Sequence, residues 1–408
     1  MTTGADAAAE EDRGLALLSA LAACWPEASV PPSRNAAHPE EFAAEYAWVP
    51  DAAHPRLLVP VSPPRAAACS LRRFSAASSP AEVVRRLGAA TAVRVTGARV
   101  LTQRVGIRMG APDSLAHHLE ELLDCRVTFA VAVGSARVNR KPVLQVFDER
   151  GRCRAFVKLG DSPQARTDVA AEALALARLE AWRLRYVEVP RVLALSRWRD
   201  MVVLALTPLP TSPRPVHDDD PLLARAMGEV EALHPTHPLA LTASPWAMGL
   251  RRAAHSWPDQ ELARRYLSCL EQVLEDGSDR PVVHGAWHGD WTPWNMARGR
   301  RRIRLWDWER FETGVPAGLD RVHFRVASAT RARGLRTEVV LAALRDLAPQ
   351  GEDLPLHADP RDLYLLAISA RYLGLLDAAR GADVAGAAHV ALGALEARLA
   401  GRRSRQSE

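Results

Sequence analysis

The stretch HGDWTPWN, His288 to Asn295, places Asp290 two residues after a histidine and Asn295 five residues after that Asp, and RIRLWDWE then carries a second carboxylate, Asp307, at the end of an apolar strand. Moving a phosphoryl group from ATP requires a carboxylate to accept or orient the proton of the attacking hydroxyl. It also requires hard oxygen ligands that hold Mg2+ on the nucleotide phosphates. Asp290 is the candidate base, and Asn295 and Asp307 are the candidate metal ligands. Each of these residue types also serves as an ordinary turn cap. The neighbouring Trp and Pro residues and the following Asp307 are what tip the pattern toward chemistry. Just upstream, His284-Gly285-Ala286-Trp287 nearly repeats His288-Gly289-Asp290-Trp291. Only the second copy has a carboxylate, so the first is read as a helix end or an approach strand.

HGDWTPWN, LWDWE and the Gly314, Pro316 and Asp320 that follow resemble the catalytic core of the aminoglycoside phosphotransferase family, over roughly residues 113 to 400 and most sharply from His288 to Asp320. The resemblance implies a protein-kinase-like fold and the use of ATP and Mg2+. It also implies a structural role for Asp320 and a loop-bracing role for His288. The hinge against which adenine packs would be Val203 to Leu206. A kinase-like fold further needs a lysine on its third strand that reaches the phosphates, held by a glutamate on the next helix. Lys158 in AFVKL and Glu172 in VAAEALAL stand fourteen residues apart, in a predicted strand and the predicted helix after it. Alternation along Ala155, Phe156, Val157 and Lys158 sets Lys158 on the face opposite Val157. No GxGxxG precedes them; Gly134 and Ser135 are the candidates for phosphate contact through backbone N–H groups and a hydroxyl. Arg137, Asn139, Arg140 and Lys141 in the same loop are read as further phosphate contacts or as a solvated basic tip.

The elements that must position these residues follow from periodicity. Leu115, Leu119, Leu122 and Leu123 predict a helix, after which FAVAVG, PVLQVFD and CRAFVKL read as three strands of an antiparallel meander. A long helix over about 166–183 follows, then strands at 187–195 and 201–206. Prolines 208, 210, 213 and 215, with Asp218 to Asp220 before Pro221, mark a boundary and a helix start. Beyond it the pattern is mainly helical, with a capping signal at Asp359-Pro360-Arg361-Asp362. Upstream, a helix around Leu15 to Ala23, a proline-broken strand and a capping box at Ser79-Pro80-Ala81-Glu82 predict a small α+β extension. The expectation is an α+β, two-lobed protein-kinase-like fold. Its parts are an accessory region at 1–110, an antiparallel-sheet nucleotide lobe at 111–207, a helical lobe at 208–400 and a disordered tail at 401–408.

Composition narrows the class. The chain has 408 residues, 48% of them hydrophobic, and a formal charge of +5, which excludes wholesale disorder. Arginine is spread along the chain without forming one basic stripe, so a nucleic-acid partner is not expected. RGRRRIR, Arg298 to Arg304, falls where a hairpin must turn. Five scattered cysteines, never in CxxC spacing, indicate neither a disulfide framework nor a zinc site. No run of 18 apolar residues and no basic-then-apolar leader is present, so a cytoplasmic protein without a membrane partner is expected. The reading is of a phosphotransferase acting on the hydroxyl of a small molecule. The alternative is a nucleotide-binding pseudokinase or regulatory module.

Overall fold

The computed structural model describes residues 4–26, 32–33, 42–73, 80–97, 101–108, 113–133, 141–211, 216–235, 238–277, 281–347, 359–376 and 382–406. Gly134 and Ser135, with Arg137, Asn139 and Arg140, lie outside the described residues, as does Ser79 of the predicted capping box. The chain divides into two compact units, residues 1–182 with 189–215, and residues 183–188 with 216–408.

The first unit is built on a nine-stranded sheet. Its elements are α1 (Gly4–Ala23), β1 (Pro32–Ser33), β2 (Phe42–Val49), β3 (Leu57–Pro60), α2 (Pro64–Arg73), α3 (Pro80–Thr96), β4 (Arg104–Arg108), α4 (Leu115–Leu123), β5 (Val127–Val133), β6 (Pro142–Asp148), β7 (Cys153–Gly160) and α5 (Pro163–Glu180). After β8 (Val187–Glu188), which belongs to the second unit, β9 (Val192–Trp198) and β10 (Met201–Leu206) complete it. The strand order is β1-β4-β2-β3-β5-β6-β7-β10-β9, antiparallel throughout. The predicted meander is β5-β6-β7. The region read as an N-terminal accessory extension supplies four strands to this same sheet, β3 pairing with β5 through Leu57 and Leu58. A few backbone pairs suffice to make two sheets one, and composition carries no mark of them.

Alternation gives the sheet two apolar faces. Val131, Val146 and Val157 pack with Leu17 and Leu21 of α1 and with Leu115 and Leu119 of α4. Ala130 and Phe147 point the other way, into Ala66, Ala67 and Leu71 of α2 and Ala90 and Val93 of α3. Ser162 caps α5 by accepting from the Ala165 N–H, and Pro163 occupies the first helical turn.

The second unit is mainly helical. It contains β8, α6 (Pro221–Glu231), β11 (Leu239–Ala240), α7 (Pro245–His255), α8 (Gln260–Asp276), β12 (Pro281–Val282), β13 (His284–Trp287), β14 (Met296–Arg298), β15 (Ile303–Leu305), β16 (Glu312–Pro316), α9 (Leu319–Arg333), α10 (Thr337–Arg345), α11 (Pro360–Leu375) and α12 (Ala382–Gln406). Its core joins Trp257, Tyr266 and Leu270 to Val322 and Val326 of α9, Leu366 of α11, and Leu392 and Leu395 of α12. The predicted starts at Asp220 and Asp359 are side-chain caps with Pro in the first turn, as Ser244 is for α7. Two expectations at the termini need correction. α1 begins at Gly4, well before Leu15, and α12 runs to Gln406 through most of the segment read as a disordered tail. In α12, Arg398 and Arg402 pair with Asp359 and Asp362, which anchor that helix.

Candidate active site

The motif HGDWTPWN lies in the loop between β13 and β14. β13 pairs antiparallel with β16, His284 opposite Pro316 and Trp287 opposite Glu312, so the first HGAW copy is an approach strand. Each copy keeps its glycine for a separate steric reason. At Gly285 an added Cβ would sit 2.1 Å from the Glu231 carbonyl oxygen. Gly289 has φ +80°, and its Cβ would sit 2.4 Å from the Arg310 carbonyl oxygen. Past that turn, the backbone N–H groups of His288 and Gly289 both donate to the Asp320 carboxylate in the first turn of α9, at 2.7 and 3.1 Å. Arg371 of α11 donates to the Gly289 carbonyl at 2.7 Å, its guanidinium 5.0 Å from the Trp287 ring.

His288 is buried and acts as a brace. Its Nδ1 accepts from the Asp290 N–H at 3.1 Å and its Nε2 donates to the Trp306 carbonyl at 3.1 Å. Those two bonds define a neutral ring with its proton on Nε2. Burial holds its pKa down at about 4, against the pull of Asp290 and Asp307. Burial acts in the opposite direction on the Asp320 carboxyl, raising it to about 7 despite its two backbone donors. Trp291 and Trp308 are fully buried around the His288 ring, at 6.0 and 4.6 Å between centroids. The tryptophans of the motif therefore pack the loop, except for the half-buried Trp294, which lies under the Arg331 guanidinium.

Asp290 is held at both carboxylate oxygens. Oδ2 accepts from Asn295 Nδ2 at 2.9 Å, and the same amide donates to the Asp290 carbonyl at 3.0 Å. Oδ1 lies 3.1 Å from Nε2 of His323 on α9, whose Nδ1 lies 3.2 Å from the Tyr364 hydroxyl on α11. Burial pushes the Asp290 carboxyl up, but the His323 hydrogen bond and charge outweigh it and leave the carboxyl below its ordinary range. Because Asn295 turns its Nδ2 toward Asp290, its carbonyl oxygen is the atom it can offer to a cation.

Asn295 and Asp307 flank the β14–β15 hairpin, in which Met296 is opposite Leu305. The Trp306 N–H donates to the Asn295 carbonyl at 3.0 Å, closing the hairpin's open end and bringing the backbones of the two candidate ligands together. Asp307 adopts φ 73° and ψ 54°, left-handed backbone that a residue other than glycine seldom takes. The donor set of one carboxamide oxygen and one carboxylate suits a hard divalent cation such as Mg2+. The arginine-rich segment is the turn of this hairpin. Its ends are engaged, Arg298 with Asp220 at 2.6 Å and Arg304 with Glu188 at 3.1 Å, while Arg300 to Arg302 are exposed.

In the first unit Lys158 and Glu172 meet. Nζ lies 2.5 Å from Oε2, with the lysine side chain 12% exposed and the glutamate fully buried. β7 places Lys158 opposite Leu204 of β10 and Val143 of β6, on the face away from the Val157 core. Lys141, read above as a loop cation, is only partly exposed. It pairs with Asp168 of α5 at 3.2 Å, one helical turn before Glu172. A basic tip in solvent is therefore not its setting.

Of the predicted residues, Lys158 and Glu172 meet in the first unit, and His288, Asp290, Asn295 and Asp307 share one loop and hairpin of the second. His323, Tyr364 and Arg371 escaped the sequence reading. His323 carried a faint signal, being three residues after Asp320 and so on the same helical face. Tyr364 and Arg371, on a helix remote in sequence, carried none.

No family model matches the chain, and no curated protein matches it. Among solved structures, the chain is similar to aminoglycoside phosphotransferase APH(4)-Ia in a ternary complex with ADP and hygromycin B. The TM-score is 0.46 at 14% identity, covering 70% of this chain and 98% of that one. It is also similar to the amicoumacin kinase hAmiN in complex with AMP-PNP, Ca2+ and Ami, with a TM-score of 0.39 at 13% identity over 67% and 88% of the two chains. For the GDP complex of aminoglycoside 2'-phosphotransferase-IIIa the TM-score is 0.41 at 14% identity, over 64% and 90%.

Proposed function

We propose that the protein is an ATP- and Mg2+-dependent phosphotransferase that moves the γ-phosphoryl group of ATP to a hydroxyl of a small molecule. The observation that carries this reading is the state of Asp290. It is a carboxylate oriented at both oxygens and kept below its ordinary pKa, at one end of a hairpin whose open end also bears Asn295 and Asp307. Lys158, fixed by Glu172, is the cation assigned to the nucleotide phosphates.

In the reaction, the acceptor O–H bond breaks as its proton passes to Asp290. The acceptor oxygen forms a bond to the γ-phosphorus, the bond from that phosphorus to the β,γ-bridging oxygen breaks, and ADP leaves with the electron pair. Asp290 supplies orientation and a proton site, His288 and Asp320 hold the turn that presents it, and Lys158 offsets phosphate charge. Asn295 and Asp307 would hold Mg2+, which would neutralise charge on the phosphate oxygens.

Titration calorimetry of ATP into the protein, with and without Mg2+, and into Asp307→Ala tests the reading. Binding that needs the metal and disappears in Asp307→Ala is expected, followed by ADP release in a screen of hydroxylated acceptors. Tight ATP binding with no acceptor turned over would favour a regulatory nucleotide-binding module instead.

A further inference from the structure

We propose that His323 is the positioning residue of the Asp290 carboxylate, donating from Nε2 to Oδ1 while the Tyr364 hydroxyl meets its Nδ1; this rests on the phosphotransferase reading above. The chain of contacts runs from the Tyr364 hydroxyl to His323 Nδ1 at 3.2 Å, then from His323 Nε2–H to Asp290 Oδ1 at 3.1 Å. An ionised carboxylate only accepts, so the nitrogen facing Asp290 must be the one that bears the proton. The other nitrogen meets the Tyr364 hydroxyl, which fixes the ring's orientation. Tyr364 is buried, 2% exposed, and burial raises its pKa, so it remains a hydroxyl.

This arrangement fixes the carboxylate in a way one partner could not. Asn295 holds Oδ2 and His323 holds Oδ1, so rotation about the Cβ–Cγ bond breaks one hydrogen bond or the other. Each oxygen has two acceptor sites, and one on each remains for an attacking hydroxyl. His323 does not replace Asp290 as the base, because the nitrogen facing the loop is engaged with Asp290 and the other with Tyr364. It comes from α9, the helix whose first turn carries Asp320. One rigid element thus holds both the backbone of the loop, through Asp320, and its reacting carboxylate, through His323.

The test has two arms on the full chain. In the first, protein labelled with 15N-histidine is examined without nucleotide by long-range 1H–15N correlation, and His323 is assigned as the resonance missing from H323Q. A ring with a proton on Nε2 is expected. A ring protonated on Nδ1 alone would overturn the proposal. In the second, ADP release from Mg2+-ATP is measured with water as the acceptor. H323A is expected to lower kcat about 100-fold, the scale of a misplaced reacting group, with KM for ATP little changed. H323Q, which keeps an N–H donor, should recover most of that loss. Equal loss in H323A and H323Q, or no loss in either, would overturn positioning through the hydrogen bond. A wild type that neither binds nor turns over ATP would remove the phosphotransferase reading, and the tautomer arm would still decide the state of His323.

Discussion

At the scale of single residues, the candidate site depends on one carboxylate and one turn. Asp290→Asn preserves shape but removes the proton site, and an amide at this position cannot accept at both atoms. ADP release should fall on the order of 100- to 10,000-fold, the usual range for a positioned acid or base, while ATP binding measured by calorimetry stays within a few-fold of wild type. Full activity in that variant would show that Asp290 is not the base. Gly289 makes a separate prediction. Its φ of +80° and the Arg310 carbonyl 2.4 Å from an added Cβ leave alanine no relaxed conformation. Gly289→Ala should lose more than about 1 kcal/mol in chemical denaturation and also lose the paired N–H contacts to Asp320. By contrast, Gly228 has open space where a Cβ would project, so Gly228→Ala on α6 should be neutral or slightly stabilising in the same assay.

At the scale of elements, β7 and α5 hold a buried ion pair whose structural and functional roles can be separated. Lys158→Met removes the counter-charge of a fully buried glutamate and should destabilise by roughly 3 kcal/mol, the scale for breaking one side of a buried pair. It should also weaken ATP binding. Replacing both partners, Lys158→Met with Glu172→Leu, should restore much of the stability, because no uncompensated charge then remains. ATP affinity should stay low in the double variant. Denaturation midpoints paired with calorimetry read the two effects independently, and recovery of both together would mean that Lys158 has no direct role at phosphate. α9 illustrates the same point about elements: Asp320 and His323 reach the loop from one helix because three residues make nearly one turn.

At the scale of the molecule, stability against pH should hide two opposed titrations in the helical unit. His288, held down at about 4 from an ordinary 6.5, is protonated first in the unfolded chain. Its contribution is present above about pH 6.5 and is lost as pH falls toward 4. Asp320, raised to about 7 from 3.8, keeps its proton longer in the folded chain. Its contribution is present below about pH 3.8 and is lost as pH rises toward 7. Over the shared window the two slopes nearly cancel. Removing either group should expose the other: the stability of Asp320→Asn itself rises with pH between about 4 and 6.5, and that of His288→Gln falls between about 4 and 7. Urea midpoints across the window give both signs, and parallel curves for wild type and variants would refute the opposed pair. The described residues include no helix long and apolar enough to cross a membrane.

Local chemistry was legible in the one-dimensional chain. Caps at Asp220 and Asp359, the β5-β6-β7 meander, the Lys158–Glu172 spacing and the loop from His288 to Asn295 each rest on contacts within a few turns or strands. Residue type and periodicity encode those directly. What tertiary structure decided was everything that joins remote segments. It merged the N-terminal strands with the meander through two backbone pairs, extended α12 by way of Asp359 and Asp362, paired Lys141 with Asp168, and set His323 and Tyr364 behind Asp290. Such contacts are chosen by packing among many sterically possible pairings, and a histidine on a helix face looks the same in sequence whether it meets water or a reacting carboxylate.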